Sequence, residues 1–332
     1  MSAQRREALW YRRLDDGAVQ CELCPHRCVI APGEAGICRV RRNEGGTLLA
    51  TSYGQTVSLS VDPVEKKPLY HFLPGKPVVS IGHNGCNLRC SFCQNYSISQ
   101  LDSPHHELPL ESLPGICRQK HSPALAFTYT EPITWYEYVL DASKLLHEHG
   151  VRTIMVSNGF ISPEPLDQII PHIDAWNIDL KAMSDGFYGK LCGARLDPVL
   201  ETIRRVHGRC HLELTNLVIT GENDSAEQTE RLIDFIASLD ASVPVHFSRY
   251  FPQYKLTAPA TPESALRDIY TRAKRKLNFV YLGNMRTADE SDTHCPQCGS
   301  LLVRRDGYET AVVGIMGGMC GACGRLVEGV WA

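Results

Sequence analysis

Three cysteines in the stretch Gly82-His-Asn-Gly-Cys-Asn-Leu-Arg-Cys-Ser-Phe-Cys-Gln-Asn95 offer the clearest chemistry in this sequence: Cys86, Cys90 and Cys93. Cysteine thiolates are the ligands of iron–sulfur clusters, and a four-iron cubane normally takes four of them. A C-x3-C-x2-C run supplies three and leaves one iron open. An open iron is a place where chemistry can happen. Zinc is the competing metal for clustered thiols, but zinc sites close with four ligands and no fourth candidate lies near this trio.

The chain has fourteen cysteines, and most of the others fall into two further groups. Cys295, Cys298, Cys320 and Cys323 form two C-x2-C knuckles separated by 21 residues, each pair followed by a glycine. That is zinc-ribbon spacing, and a filled tetrahedral site there would fold a tail too short for a core of its own. Cys21, Cys24, Cys28 and Cys38 follow C-x2-C-x3-C-x9-C. Four thiolates can close either a zinc site or an auxiliary [4Fe–4S] cluster; spacing separates the two poorly, and zinc is the expectation by a small margin. His26 lies inside this loop and is read as a supporting residue rather than a ligand. Cys117, Cys192 and Cys210 stand apart, with Cys192 placed to reach the same end of the fold as the trio.

Composition narrows the class. The 332 residues are 43% hydrophobic and 21% charged, enough for a substantial core. With 34 basic against 37 acidic residues the net charge is −3, which offers no global electrostatic attraction to nucleic acid, so no such partner is expected. No apolar signal core or membrane-length segment is present, and clustered cysteines in a reducing compartment serve metals, so a cytoplasmic protein is expected.

From residue 77 onward short apolar runs alternate with amphipathic stretches, the pattern of βα units around a parallel sheet. The runs are 78–81, 124–128, 153–156, 175–179, 213–219, 243–247 and 279–282, with helices expected over 135–148, 163–170, 197–207, 226–239 and 262–276. Six or seven βα repeats make a partial or complete barrel. The prolines of 61–75 favour an ordered, extended approach to it. The expected division is a four-cysteine metal-binding module over 1–60, a barrel over 61–288 and a zinc ribbon over 289–332. In parallel barrels functional residues gather at the C-terminal ends of the strands, where the trio sits.

Several residues at those ends suit a charged ligand. Thr130 and Glu131 follow the second run, and the carboxylate is an acceptor for an ammonium. Ser157 and Asn158 end the third with small hydrogen-bonding groups, and Gly159 permits close backbone approach. Asp179 and Lys181 stand two apart and share a face, a costly pair in a barrel interior without a charged ligand. His246, Arg249 and Tyr250 close the sixth run as candidates for the lower mouth. Phe92 is expected to pack beside the trio, and Lys66 and Lys67 are read as a solvated loop.

The trio, together with Asp62-Pro-Val-Glu-Lys-Lys-Pro-Leu-Tyr-His-Phe72, Thr128-Tyr-Thr-Glu-Pro132, Ser157-Asn-Gly159, Asp179-Leu-Lys181 and His246-Phe-Ser-Arg-Tyr-Phe-Pro252, resembles the AmmeMemoRadiSam-system radical S-adenosylmethionine (SAM) enzymes, relatives of the pyruvate formate-lyase activating enzymes. The resemblance implies an α/β barrel of radical SAM type with small metal-stapled modules at both ends. It implies a [4Fe–4S] cluster on Cys86, Cys90 and Cys93, with SAM held by Thr130, Glu131, Ser157, Asn158, Asp179, Lys181 and Arg249. The reaction implied is reductive cleavage of SAM to a 5′-deoxyadenosyl radical that takes hydrogen from a substrate. Partners implied are an electron donor such as flavodoxin or ferredoxin and Memo-like and AMMECR-like proteins. Activation of a glycyl-radical enzyme is the alternative activity. A zinc-ribbon module that binds RNA or protein beside a degenerate barrel is the alternative from another class. No general base or nucleophile is assigned.

Overall fold

The computed structural model describes residues 6–331. Eight strands form its central sheet: β1 (Ser58–Pro63), β2 (Pro77–Gly82), β3 (Ala124–Phe127), β4 (Arg152–Ser157), β5 (Ala175–Asp179), β6 (His211–Val218), β7 (Val245–Arg249) and β8 (Val280–Gly283). They lie side by side in chain order, β2 to β8 all parallel, with β1 antiparallel on the edge beside β2. The sheet has two edges, β1 and β8, and is therefore a partial barrel.

All four residues of β3 are buried, as in a parallel strand covered on both faces. Leu125 and Phe127 pack on the helical side, while Ala124 and Ala126 face inward. The helices are α1 (Leu113–Gln119), α2 (Tyr136–Glu148), α3 (Pro163–Ile169), α4 (Asp197–Val206), α5 (Ala226–Asp240) and α6 (Glu263–Ala273). Local chemistry starts several of them. Pro163 occupies the first helical position of α3, and the Ser225 hydroxyl accepts from the Gln228 amide to cap α5. The sequence pattern did not foresee β1 or α1. Leu59 and Val61 of β1 are each 41% exposed, which leaves an edge strand without the apolar run of its neighbours.

Because Ala124, Ala126 and Ala175 are small, the inner face has room for an insert. Val64, Leu69, Phe72 and Leu73, from the proline-rich approach, fill it in one buried cluster with Val78 and Ile154. The barrel floor is thereby plugged. Beneath the plug Glu213 is fully buried; its carboxylate accepts from the Tyr70 and His71 amides and from the rings of His211 and His246. Burial opposes its ionisation, yet the two histidine hydrogen bonds hold it well below the usual carboxylate range.

Smaller sheets flank this frame. Tyr11–Arg13, Val19–Cys21 and Val29–Ile30 make a three-stranded antiparallel sheet, followed by a hairpin of Arg41–Glu44 and Thr47–Ala50. Its turn is Gly45-Gly46 at φ of 59° and 85°, the left-handed pair a two-residue hairpin turn requires. At the other end Thr293–His294, Leu301–Asp306 and Glu309–Val312 pair antiparallel, and the tail returns so that Phe72 and Val330 bridge. No helix among the described residues is long and apolar enough to cross a membrane.

A buried ion pair fastens the N-terminal hairpin to α2. Arg41 and Glu137 are both buried; Nη2 lies 2.9 Å from Oε1 and Nη1 3.2 Å from Oε2. Removing one partner strands the other charge. Arg41→Met should therefore cost about 3–5 kcal/mol in urea denaturation, and Arg41→Met/Glu137→Leu should recover most of it. A single variant as stable as the parent would refute the role given to the pair.

Candidate active site

The trio loop leaves β2 at Gly82 and has little regular structure of its own until the short helix Tyr96–Ser99. Its shape comes from partners. The Arg89 and Ser91 amides bond to the carbonyls of Cys192 and Leu191, the Gly85 amide to Ile98, and the Ser91 carbonyl accepts from Lys255 and Leu256. The Asn87 side chain donates to the Phe160 carbonyl at 2.8 Å. Gly85 sits at φ +105°, and a Cβ there would come within 2.7 Å of the Cys38 carbonyl, so only glycine lets the loop pass the N-terminal segment.

This arrangement turns all three cysteines into a cavity of about 350 Å³ at the C-terminal ends of the strands. Two of the sulfurs also have hydrogen-bond partners. The Leu88 amide lies 3.3 Å and Asn158 Nδ2 3.8 Å from Cys86 Sγ, and Ser99 Oγ lies 3.1 Å from Cys93 Sγ. The neighbouring Cys192 thiol, helped by Lys181, draws the Cys90 thiol below its ordinary range despite burial. Burial pushes the Cys86 and Cys93 thiols the other way. Cys192 thus stands next to Cys90 and is not among the residues lining the cavity.

Six of the seven residues expected to hold the cofactor line the same cavity: Thr130, Glu131, Ser157, Asn158, Asp179 and Lys181. Lys181 Nζ donates to Asp179 Oδ2 at 2.8 Å. Burial disfavours the ammonium, but Asp179, Cys90 and Cys192 outweigh it and raise Lys181 well above its ordinary value. The Glu131 carboxylate accepts from Ser157 Oγ, the Asn158 amide and the Ile133 amide, tying the loop after β3 to the loop after β4. Even so, burial raises it to about 7.

Arg249 is the exception. Its guanidinium turns to the Thr261 carbonyl and to Glu263, 2.9 Å away, and it is not among the residues lining the cavity. Side chains alternate along a strand, and Ser248 is the residue of this pair that faces the cavity. His246 and Tyr250 share Arg249's absence from the lining; His246 binds Glu213, and the Tyr250 hydroxyl donates to the Leu256 carbonyl. Lys67 corrects the reading of a solvated loop. It is buried, donates to Asp62 Oδ2 at 2.8 Å, and lies 4.5 Å over the Tyr129 ring. Lys66 is partly exposed and bonds the other Asp62 oxygen.

Sequence reasoning missed Thr215, Leu217, Ser248, Asn284 and Tyr129 as cavity residues. For the strand positions the signal was available, because Thr215 and Leu217 share the parity of the inward-facing Glu213. Phe92 is buried, lines the cavity and packs against Phe187. His26 is bonded through Nε2 to the Asn87 carbonyl at 2.8 Å.

At the far end, Cys295 and Cys323 sulfurs are 3.6 Å apart and those of Cys298 and Cys320 3.7 Å. The ligand atoms of all four lie within 4.8 Å of one another, a group that could hold a metal ion.

Comparison with known proteins gives a consistent picture. A family model of the radical SAM superfamily matches residues 80–236. An uncharacterised protein of Methanocaldococcus jannaschii is 40% identical over 332 residues, 97% of this chain and 99% of that one. The pyruvate formate-lyase-activating enzyme of Clostridium pasteurianum is 23% identical over 163 residues, 47% of this chain and 67% of that one. Among solved structures, a radical SAM methyltransferase from Sphaerobacter thermophilus shares the fold with a TM-score of 0.52 at 17% identity, over 69% of this chain and 71% of that one.

The raised Glu131 carboxyl makes a signed prediction for the ligand-free protein. Its folded value of about 7 exceeds the ordinary 4.5, so its contribution to stability is fully present below pH 4.5 and is lost as pH rises through about 7. Glu131→Gln has no proton to lose. The melting temperature of the variant relative to the parent should climb between about pH 4.5 and 7, where the unfolded chain has lost this proton and the folded one keeps it, and level off above that window; a difference independent of pH would contradict the assignment.

Proposed function

We propose, from the premise that this chain belongs to the radical SAM superfamily, that Cys86, Cys90 and Cys93 hold the open-site [4Fe–4S] cluster and that the cavity beside them binds SAM. Such a cluster, once reduced by an external electron donor, would supply one electron to the sulfonium of SAM, whose cleavage gives methionine and a 5′-deoxyadenosyl radical able to take a hydrogen atom from a substrate. The observation that carries this reading is the convergence of three thiols and the partly buried Asp179–Lys181 pair on one cavity.

The residues present fit those groups. Three sulfurs face the hollow, and those of Cys86 and Cys93 have hydrogen-bond partners of the kind that tunes a cluster. In this reading Lys181 meets the carboxylate of SAM, Asp179 and Glu131 face its ammonium, and Thr130, Ser157 and Asn158 fix its polar edge. Ionic groups are costly in such a place without an ionic partner, and SAM brings carboxylate, ammonium and sulfonium together. Glu131 organises two loops as well, so it orients neighbours besides offering charge. Lys67, pinned by Asp62 and Tyr129, forms part of the wall that keeps water from the reacting atoms. The fuller sequence resemblance supports Memo-like and AMMECR-like partners and a flavodoxin- or ferredoxin-type donor. The likeness to activating enzymes supports hydrogen abstraction more than any one substrate.

The C-terminal cysteines, in the same reading, bind zinc. Their sulfurs stand 3.6 and 3.7 Å apart, near the edge of about 3.8 Å that a tetrahedron with Zn–S of about 2.3 Å demands.

Anaerobic reconstitution followed by reduction with dithionite in the presence of SAM should release 5′-deoxyadenosine. A Cys86→Ala/Cys90→Ala/Cys93→Ala variant should release none. Lys181→Met should weaken SAM binding by about tenfold to a hundredfold in equilibrium dialysis, the value of a charge-assisted hydrogen bond. Failure of the reconstituted parent to cleave SAM would remove the enzyme reading.

A further inference from the structure

We propose that Cys21, Cys24, Cys28 and Cys38 hold a second [4Fe–4S] cluster, closed by four thiolates, and that this site does not hold zinc. Both outer cysteine groups offer four sulfurs, so ligand type does not distinguish them. Their spacing in space does. Around one zinc ion the thiolates close to about 3.8 Å, and two sulfur pairs of the C-terminal group already stand 3.6 and 3.7 Å apart. A cubane places an iron and part of an inorganic core between each thiolate and the centre, which spreads the sulfurs.

Among the described residues, the group whose ligand atoms all fall within 4.8 Å of one another is the C-terminal one. No three of the N-terminal sulfurs all fall within that limit, and neither do those of Cys86, Cys90 and Cys93. By this measure the N-terminal group resembles the trio and differs from the ribbon. The comparison uses the trio's assignment under Proposed function as a yardstick.

The space between the N-terminal cysteines agrees. All four line one cavity of about 20 Å³, so the four sulfurs converge on a common space. Its remaining wall is largely apolar, from Leu23, Ile30 and Ile37, with the buried guanidinium of Arg41 facing it. That charge complements an anionic thiolate cluster. His26, the one other metal-ligating residue type among those lining the cavity, is held through Nε2 by the Asn87 carbonyl, so the donor set is all cysteine.

Its position adds a reason for the site. Asn87 lines this cavity, while its neighbours Cys86 and Leu88 line the catalytic one. Gly85 passes against the Cys38 carbonyl. A ligand of the N-terminal centre therefore abuts the backbone that carries a ligand of the other.

Metal and acid-labile sulfide analysis of anaerobically reconstituted full-length protein tests the assignment. The parent should hold about eight irons, about eight sulfides and one zinc. The Cys86→Ala/Cys90→Ala/Cys93→Ala variant should keep about four irons and, on dithionite reduction, the electron paramagnetic resonance signal of a four-iron cluster. Cys24→Ser/Cys28→Ser should instead keep the trio's four irons and its cleavage of SAM. A triple variant that retains its zinc and its circular dichroism but holds no iron or sulfide, with about two zincs per chain, overturns the proposal. That result leaves the catalytic reading intact. A parent holding eight irons that cleaves no SAM overturns the catalytic reading and leaves this one standing.

Discussion

An irregular loop must hold three sulfurs at fixed separations around a hollow, and it has no repeating hydrogen-bond ladder to do so. Residues 82–93 solve this by lending their backbone groups to other segments: the Tyr188–Cys192 turn receives Arg89 and Ser91, the chain at 255–256 receives the Ser91 carbonyl, and Phe160 receives Asn87. A buried amide or carbonyl left unpaired costs as much as a lost hydrogen bond, so these contacts determine where the loop lies. The rest of the structure serves to keep those partners in place.

Charge is arranged around the hollow by the same economy. Asp179 with Lys181 and Asp62 with Lys67 are short pairs, and Glu131 is held by three donors. Below them the proline-rich insert fills the barrel with apolar side chains, and Glu213 accepts four hydrogen-bonding groups beneath it. The upper half of the interior stays open because the lower half is sealed by side chains from outside the strands.

Both flanking segments act on this frame. Arg41 joins the N-terminal hairpin to α2 through a bidentate pair with Glu137. At the floor, Arg305 bonds the Tyr70 carbonyl and stacks 4.1 Å over its ring, while His71 bonds Tyr281, which bonds Thr293. His71 remains neutral, its ring pushed down to about 3 by burial. The cysteine-rich ends are therefore packed against the floor and side of the barrel.

Much of this was legible in the order of residues. The seven parallel strands sit within about two residues of the apolar runs, since a strand buried on both faces must be continuously apolar. Cys86, Cys90 and Cys93 and the pair Asp179–Lys181 were readable because metal spacing and strand parity are local properties. Arg249 shows the limit: proximity to a strand end named it, but parity aimed Ser248 inward and left Arg249 to Glu263. Lys67 was read as solvated because nothing within its own segment signals the Tyr129 ring that covers it, and β1 was missed because an edge strand lacks an apolar run. The sequence by itself determined which thiols are available, how they are grouped and that strands and helices alternate. Only the tertiary structure decided how far apart the sulfurs stand and which charges face the hollow, because both depend on contacts between residues remote along the chain.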